Sequence, residues 1–130
     1  MERFFLIAGA LLGALAVGLG AYGAHGLEGL LEGAPDAARR LAWWRTAVAY
    51  HLPHAGMLVV TALVHARWPG RAPVVAAIGF VVGVALFAGT LYAMSLGAPR
   101  WLGAITPLGG LSLIVGWLAL AFGARPRHRG

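Results

Sequence analysis

The chain has 130 residues, of which 60% are hydrophobic and 11% are charged, and its mean hydropathy is +0.80. Soluble domains carry about a quarter charged residues, so this composition excludes an ordinary water-soluble globule and predicts a protein whose solvent is lipid. The absence of cysteine excludes disulfides, thiolate metal sites and thiol catalysis. The net charge of +6 comes from arginines between apolar runs or at the termini, a distribution that suits lipid head groups better than nucleic acid.

Four apolar stretches predict four transmembrane helices within one integral membrane domain, residues 1–130. They cover about residues 4–22, 47–64, 73–96 and 102–122, and each approaches or exceeds the ~17–25 residues that a helix needs to cross a bilayer. Most connections are short, so successive helices are expected to be adjacent and antiparallel. The predicted fold is an all-α membrane protein, a four-transmembrane-helix antiparallel bundle.

The first helix carries a ridge of small residues that predicts close helix packing. Lipid gives helices no hydrophobic reason to associate, so small residues that permit close backbone approach must help to do it. Gly13 and Gly18 are expected to lie against another helix. Similar small residues recur on the first, third and fourth helices: Gly9, Ala10, Ala14, Gly79, Gly83, Ser112 and Gly116.

Loop 1, about residues 27–42, contains most of the acidic residues of the chain. Pro35 and Asp36 precede two alanines, a pattern typical of a helix start. The sequence therefore predicts a short interfacial helix in this loop that leads into the second transmembrane helix.

The second helix contains two histidines that a membrane span would normally exclude. His51 and His54 are three residues apart, which places both imidazoles on one face. Pro53 lies between them, removes a backbone N–H and leaves the carbonyl of Ala49 without its helical partner. We expect a kink here, and we expect this carbonyl or a hydroxyl to pair with the imidazoles.

Polar groups from all four helices are predicted to share one depth range, in the outer half of the membrane. Thr106, before Pro107, is also expected to cap the fourth helix. The candidate cluster comprises Tyr22, His25, Tyr50, His51, His54, Thr90, Tyr92 and Thr106.

Three hypotheses compete for this cluster. It is a buried hydrogen-bond network that sets helix register, a binding site for a small molecule, lipid or permeating ion, or a metal or haem site formed by His25, His51 and His54. The pattern H-x-x-H without a carboxylate or cysteine partner is a weak metal signal, so no metal ligand or cofactor is predicted. His65 and His128 are expected to lie in a loop and the tail, in contact with water.

Arginine counts predict the orientation in the cytoplasmic membrane. Six arginines lie on the side of the two termini and four on the other side, which favours a multi-pass protein with both termini in the cytoplasm. Tryptophans concentrate at membrane interfaces, so they are interpreted as anchors, at the outer interface for Trp43, Trp44 and Trp101 and near the inner one for Trp68 and Trp117.

No enzyme template fits the sequence, and an enzyme is not predicted. The acidic residues of loop 1 have no paired carboxylate inside a span. Ser95 and Ser112 do not occur in a G-x-S-x-G context, and there is no P-loop or dinucleotide-binding pattern.

Four sequence blocks, taken together, carry a family resemblance. They are Gly23-Ala24-His25-Gly26-Leu27, then Thr46 to His51 with His54, then Phe87 to Tyr92, and then Ile105 to Gly110 followed by Gly116-Trp117. In this order and spacing the chain resembles the small membrane-protein family catalogued as domain of unknown function 423, whose eukaryotic relative is called transmembrane protein 256.

The resemblance implies a four-helix integral membrane protein with no established activity, cofactor or catalytic residue. The predicted role is structural or accessory, or the binding of a small ligand or lipid. One alternative is a transporter or channel component, and a second is a metal- or haem-binding redox protein that uses the histidines. The predicted partners are membrane lipids and either a second copy of the chain or another membrane protein. Nucleic acid is not a predicted partner.

Overall fold

The computed structural model describes residues 1–123, and the basic tail with Arg125, Arg127, His128 and Arg129 lies outside the described residues. In the described part, regular structure is entirely helical, and four helices are long and apolar enough to cross a membrane. They are α1 (Glu2–Leu30), α2 (Ala37–Arg67), α3 (Arg71–Ser95) and α4 (Thr106–Gly123), with a short 3₁₀ helix, Arg100–Ala104, before α4. The predicted all-α membrane fold is confirmed.

Successive helices form the extensive contacts among the described residues, α1 with α2, α2 with α3, and α3 with α4. The most apolar stretch of α3 is 50% buried, whereas those of α1 and α4 are 17% buried. The outer helices expose large aliphatic side chains such as Leu11, Leu15 and Leu118. In a water-soluble protein this surface would be unfavourable, and in a bilayer it faces lipid tails.

Loop 1 is shorter than predicted because both flanking helices extend into it. α1 continues to Leu30, since Leu27 and Leu31 pack with Trp44 in one buried cluster. α2 begins at Ala37, directly after Asp36 as predicted, but it continues without a break into the membrane span. The expected separate interfacial helix is therefore the first part of α2, because no glycine or proline interrupts residues 37–52.

Small residues permit close approach between α3 and α4, as predicted. A Cβ added at Gly79 would lie 2.9 Å from the carbonyl oxygen of Ser112 and 3.0 Å from the backbone of Gly116. The Ser112 hydroxyl donates a 2.9 Å hydrogen bond to the carbonyl of Gly79. Backbone approach and a hydrogen bond between helices are the two interactions that associate helices in lipid.

The prediction for Gly18 is wrong, because no other helix in residues 1–123 lies within 4 Å of a Cβ built there. Gly13 is at the edge of the α1–α2 contact, with the Cβ of Ala55 at 4.0 Å. The close contact is made by Gly9, where an added Cβ would lie 2.8 Å from Val59. α1 is thus rotated about its axis relative to the predicted ridge, and its buried residues are Phe5, Gly9, Ala16 and Leu27.

Candidate functional site

His51 is held between α2 and α3 by one hydrogen bond. Its side chain is 2% exposed, and its Nδ1 lies 3.0 Å from the hydroxyl of Tyr92. The two rings meet edge to face, with centroids 5.9 Å apart. This contact confirms one of the partnerships expected for the histidine pair.

The second ring nitrogen of His51, Nε2, is buried without a hydrogen-bond partner among the described residues. The backbone of Leu12 in α1 also interacts with the His51 ring. A buried polar atom without a partner costs free energy. This nitrogen is consequently the one atom of the pair that the helices themselves leave unpaired.

His54 uses both ring nitrogens. Its Nδ1 donates to the carbonyl oxygen of Tyr50 at 2.6 Å, and its Nε2 accepts from the indole N–H of Trp117 at 3.0 Å. An indole N–H is only a donor, so the proton of the neutral imidazole lies on Nδ1. The carbonyl freed by Pro53, that of Ala49, was expected as a partner, but Nδ1 instead reaches the carbonyl one turn before His54.

Trp117 is 46% exposed, and its ring also contacts the interior of the bundle. Its ring packs against Phe80 with centroids 5.8 Å apart and against His54 at 6.0 Å. Because Trp117 is on α4, Phe80 on α3 and His54 on α2, this triad connects three helices. An indole N–H that faces the protein needs a hydrogen-bond partner, and the buried His54 provides one.

Trp44, unlike Trp117, is buried rather than exposed as expected for an interfacial anchor. It is 3% exposed, and its indole N–H donates to the carbonyl of Leu19 at 2.8 Å. Its ring lies 4.7 Å from that of Tyr92 and 5.5 Å from that of Tyr22. Gly23 makes room for this ring, because an added Cβ would collide with Trp44. A tryptophan in an apolar stretch can be an interfacial anchor or a buried core residue, so the burial of Trp44 could not be predicted from the sequence.

Thr90 and Thr106 join α3 to the start of α4. Their hydroxyls are 2.7 Å apart, and the Thr90 hydroxyl lies 2.7 Å from the carbonyl of Leu86. Thr106 is the first residue of α4 rather than the residue before it. The hydrogen bond of its hydroxyl is this contact with Thr90, not the predicted helix cap.

The predicted cluster is only partly assembled. The ring of Tyr50 stacks with that of His54 at 6.3 Å and contacts that of Phe87 at 4.6 Å, whereas the ring of Tyr22 contacts that of Trp44. His25 is exposed on α1, away from His51 and His54. Within residues 1–123, no group of three or more His, Cys, Asp or Glu side chains is placed to hold a metal ion. The three-histidine donor set of the metal hypothesis is therefore not brought together.

The end of the bundle with loop 1 and the 3₁₀ helix, here called the loop-1 end, contains an ionic network that sequence reasoning missed. Asp36 lies 3.5 to 3.9 Å from the guanidinium groups of Arg39, Arg40 and Arg100. Arg40 and Ser95 exchange two bonds, Nε to the Ser95 carbonyl at 2.8 Å and the serine hydroxyl to the Arg40 carbonyl at 2.9 Å. The start of α2 is thereby tied to the end of α3.

His65 lies inside α2 and not in a loop. Its ring is edge-on to Phe5 at 6.1 Å, and its Nδ1 is buried without a partner in the described part of the chain. The prediction that this histidine is in contact with water is wrong for that nitrogen.

These features define a class of protein: a small four-helix integral membrane protein whose interior contains a network of histidine and aromatic side chains. Comparison with known proteins makes this more specific. Residues 19–110 match the family described as "Protein of unknown function (DUF423)", and the chain belongs to this family. The matched region contains both histidines of the pair and Thr106 but ends before Trp117.

Curated relatives match over nearly their whole length. The chain is 44% identical over 124 residues to the UPF0382 membrane protein YwdK of Bacillus subtilis, covering 94% of this chain and 96% of the relative. It is 34% identical to a UPF0382 membrane protein of Haemophilus influenzae, with 95% of each chain covered. A UPF0382 membrane protein of Schizosaccharomyces pombe is 38% identical, covering 85% of this chain and 92% of the relative. No solved structure matches.

Proposed function

We propose that the chain is a non-catalytic accessory protein of the cytoplasmic membrane and that its intramembrane histidines are structural. The carrying observation is that three of the four ring nitrogens of His51 and His54 are used by groups of the bundle itself. A general base or metal ligand needs a nitrogen that is free to meet the substrate or ion. A paired imidazole instead fixes the rotation of α2 relative to α3 and α4.

Stability measurements on matched variants test this role. If the network is structural, His51→Asn lowers the melting temperature in detergent less than His51→Leu, because an amide replaces part of the hydrogen bonding. The absorption spectrum and elemental analysis of the purified wild-type protein provide the readout for ligands. A haem band or a stoichiometric metal that both variants lose equally would overturn the structural role.

The proposed orientation places both termini in the cytoplasm. Six of the ten arginines are on that side with one acid, Glu2, whereas the four on the loop-1 side accompany three acids. All four of the latter form ion pairs, with Asp36 or with Glu28. The larger number of arginines on the side of the termini, six against four, is the distribution that the positive-inside rule associates with the cytoplasm.

Reporter fusions test the orientation. A reporter active only in the cytoplasm is expected to function when fused after Gly130 and to be silent when inserted after Gly33 in loop 1. The opposite pattern, obtained with a periplasm-specific reporter, would reverse the orientation.

One observation favours a second candidate, a site for a small molecule or permeating ion. The Nε2 of His51 is buried and unpaired among the described residues, and intramembrane polar groups of this kind mark ligand or ion pathways in many membrane proteins. A transporter or channel component would need an oligomer, because four helices enclose little aqueous volume. Flux into proteoliposomes that His51→Asn abolishes would support this candidate over the accessory role.

A further inference from the structure

A cavity of about 760 Å³ lies at the opposite end of the bundle from loop 1, where α2 ends and α3 begins. Residues with charged or polar groups in its lining are Met1, His65 and Arg71, and its apolar lining includes Ala72, Val74 and Val75. We propose that this cavity binds the phosphate group of an anionic lipid. The inference goes beyond the proposed accessory role and does not depend on which side of the membrane this end faces.

The Nδ1 atom of His65 is a possible hydrogen-bond donor to the phosphate. This nitrogen is buried and has no partner among the described residues, and the ring is positioned by the edge-on contact with Phe5. Phe5 itself is 6% exposed and belongs to a buried cluster. His65 lines the cavity, and rotation of its ring toward the cavity would let this nitrogen donate to a phosphate oxygen and would remove the cost of burying it unpaired.

The electrostatics at this end favour an anion. No carboxylate lines the cavity, and Arg71 forms no ion pair in residues 1–123, although all four arginines at the loop-1 end are paired. Arg3 and Arg67 add positive charge to the same end. A guanidinium binds phosphate in a bidentate, charge-assisted geometry. The free guanidinium of Arg71 thus has the chemistry that a phosphate requires.

The surroundings favour a lipid over free phosphate. Val75 is 45% exposed on the membrane-spanning helix α3, so the cavity adjoins a surface that acyl chains cover. Trp68 is 61% exposed, with the guanidinium of Arg67 5.3 Å from its ring centre. An exposed tryptophan beside an arginine at a helix end is typical of the head-group level. A lipid phosphate would meet His65 and Arg71 at this depth while its chains contact the valines.

Binding of short-chain lipids to the full-length protein in detergent tests the proposal. We expect phosphatidylglycerol to raise the melting temperature and phosphatidylcholine to do so much less. Arg71→Gln is expected to weaken phosphatidylglycerol binding about tenfold, since it removes a charge-assisted hydrogen bond. His65→Phe keeps the ring contact with Phe5 but loses the nitrogen, and should weaken binding severalfold. Arg67→Gln, with the same charge loss beside the cavity, should change binding less than about twofold.

Each alternative outcome contradicts the proposal in a different way. Equal weakening by Arg71→Gln and Arg67→Gln would indicate a diffuse basic surface and no site. Inorganic phosphate that stabilises the protein as well as phosphatidylglycerol would indicate a free-anion site. A melting curve measured without lipid shows whether each variant is folded. If His65→Phe is unfolded, His65→Gln and His65→Ala replace it in the test. His65→Gln offers an amide donor and should retain more lipid binding than His65→Ala. Retained binding in His65→Ala would exclude His65 from the site.

Discussion

Replacing Gly79 with alanine tests the backbone contact between α3 and α4. The new methyl group would lie 2.9 Å from the Ser112 oxygen and 3.0 Å from both the nitrogen and the Cα of Gly116. These neighbours are backbone atoms and cannot rotate away, so the two helices must separate by about half an ångström. Separation also strains the 2.9 Å hydrogen bond from Ser112 to the Gly79 carbonyl.

The expected cost follows from these terms. Overpacking costs about 1–3 kcal/mol, and an interhelical hydrogen bond in a membrane contributes about 0.6 kcal/mol. The higher helix propensity of alanine offsets up to about 1 kcal/mol of this. Gly79→Ala should therefore destabilise the protein by about 1–3 kcal/mol.

Gly18→Ala is the matched control, because the same methyl group there has no neighbour from another helix within 4 Å in the described part of the chain. Reversible unfolding in mixed detergent micelles, followed by circular dichroism, measures both variants. We expect Gly18→Ala to be neutral or slightly stabilising. Equal stability of the two variants would mean that the helices do not approach each other at Gly79, and the reasoning would fail.

Three further predictions concern the polar contacts. Trp117→Phe keeps an aromatic ring beside His54 but removes the N–H, and should cost about 1 kcal/mol in the same unfolding assay. Tyr92→Phe removes the hydroxyl that pairs with His51, and its effect should largely disappear in a His51→Leu background, as a double-mutant cycle would show. Asp36→Asn breaks three partly exposed ion pairs, so it should lower the free energy of unfolding by less than about 1 kcal/mol, and by less still at high salt. A decrease that does not depend on salt would contradict an electrostatic cause.

The number and approximate position of the helices could be predicted because they depend on composition alone. A run of apolar residues long enough to cross the bilayer has one stable conformation in lipid, since every backbone group must be paired within the helix. The ends were less predictable. α1 reaches Leu30 because Leu27 packs with Trp44, a contact between residues far apart in the chain.

The rotation of each helix about its own axis could not be predicted from the sequence. Gly9 and Gly18 are equally small, yet only Gly9 faces α2, because the choice depends on the surface that α2 presents. His51 and His54 were correctly predicted to share a face toward the bundle. The partner of His54 was missed, because Trp117 is equally plausible as an interfacial anchor, and His25 was included only because of its predicted depth.

Arginine has different roles at the two ends of the bundle: it forms ion pairs at the loop-1 end, and at the other end Arg71 does not. The positions of the acidic residues determine this difference. Three of the four acids lie in the segment before and at the start of α2, so the arginines there are neutralised. Asp36 pairs with Arg40, and the two hydrogen bonds between Arg40 and Ser95 connect α2 to α3. At the other end Arg71 forms no ion pair in the described structure and lines a cavity. An arginine that forms no ion pair within the protein can bind an anion from outside it. In a membrane the nearest abundant anion is a lipid phosphate.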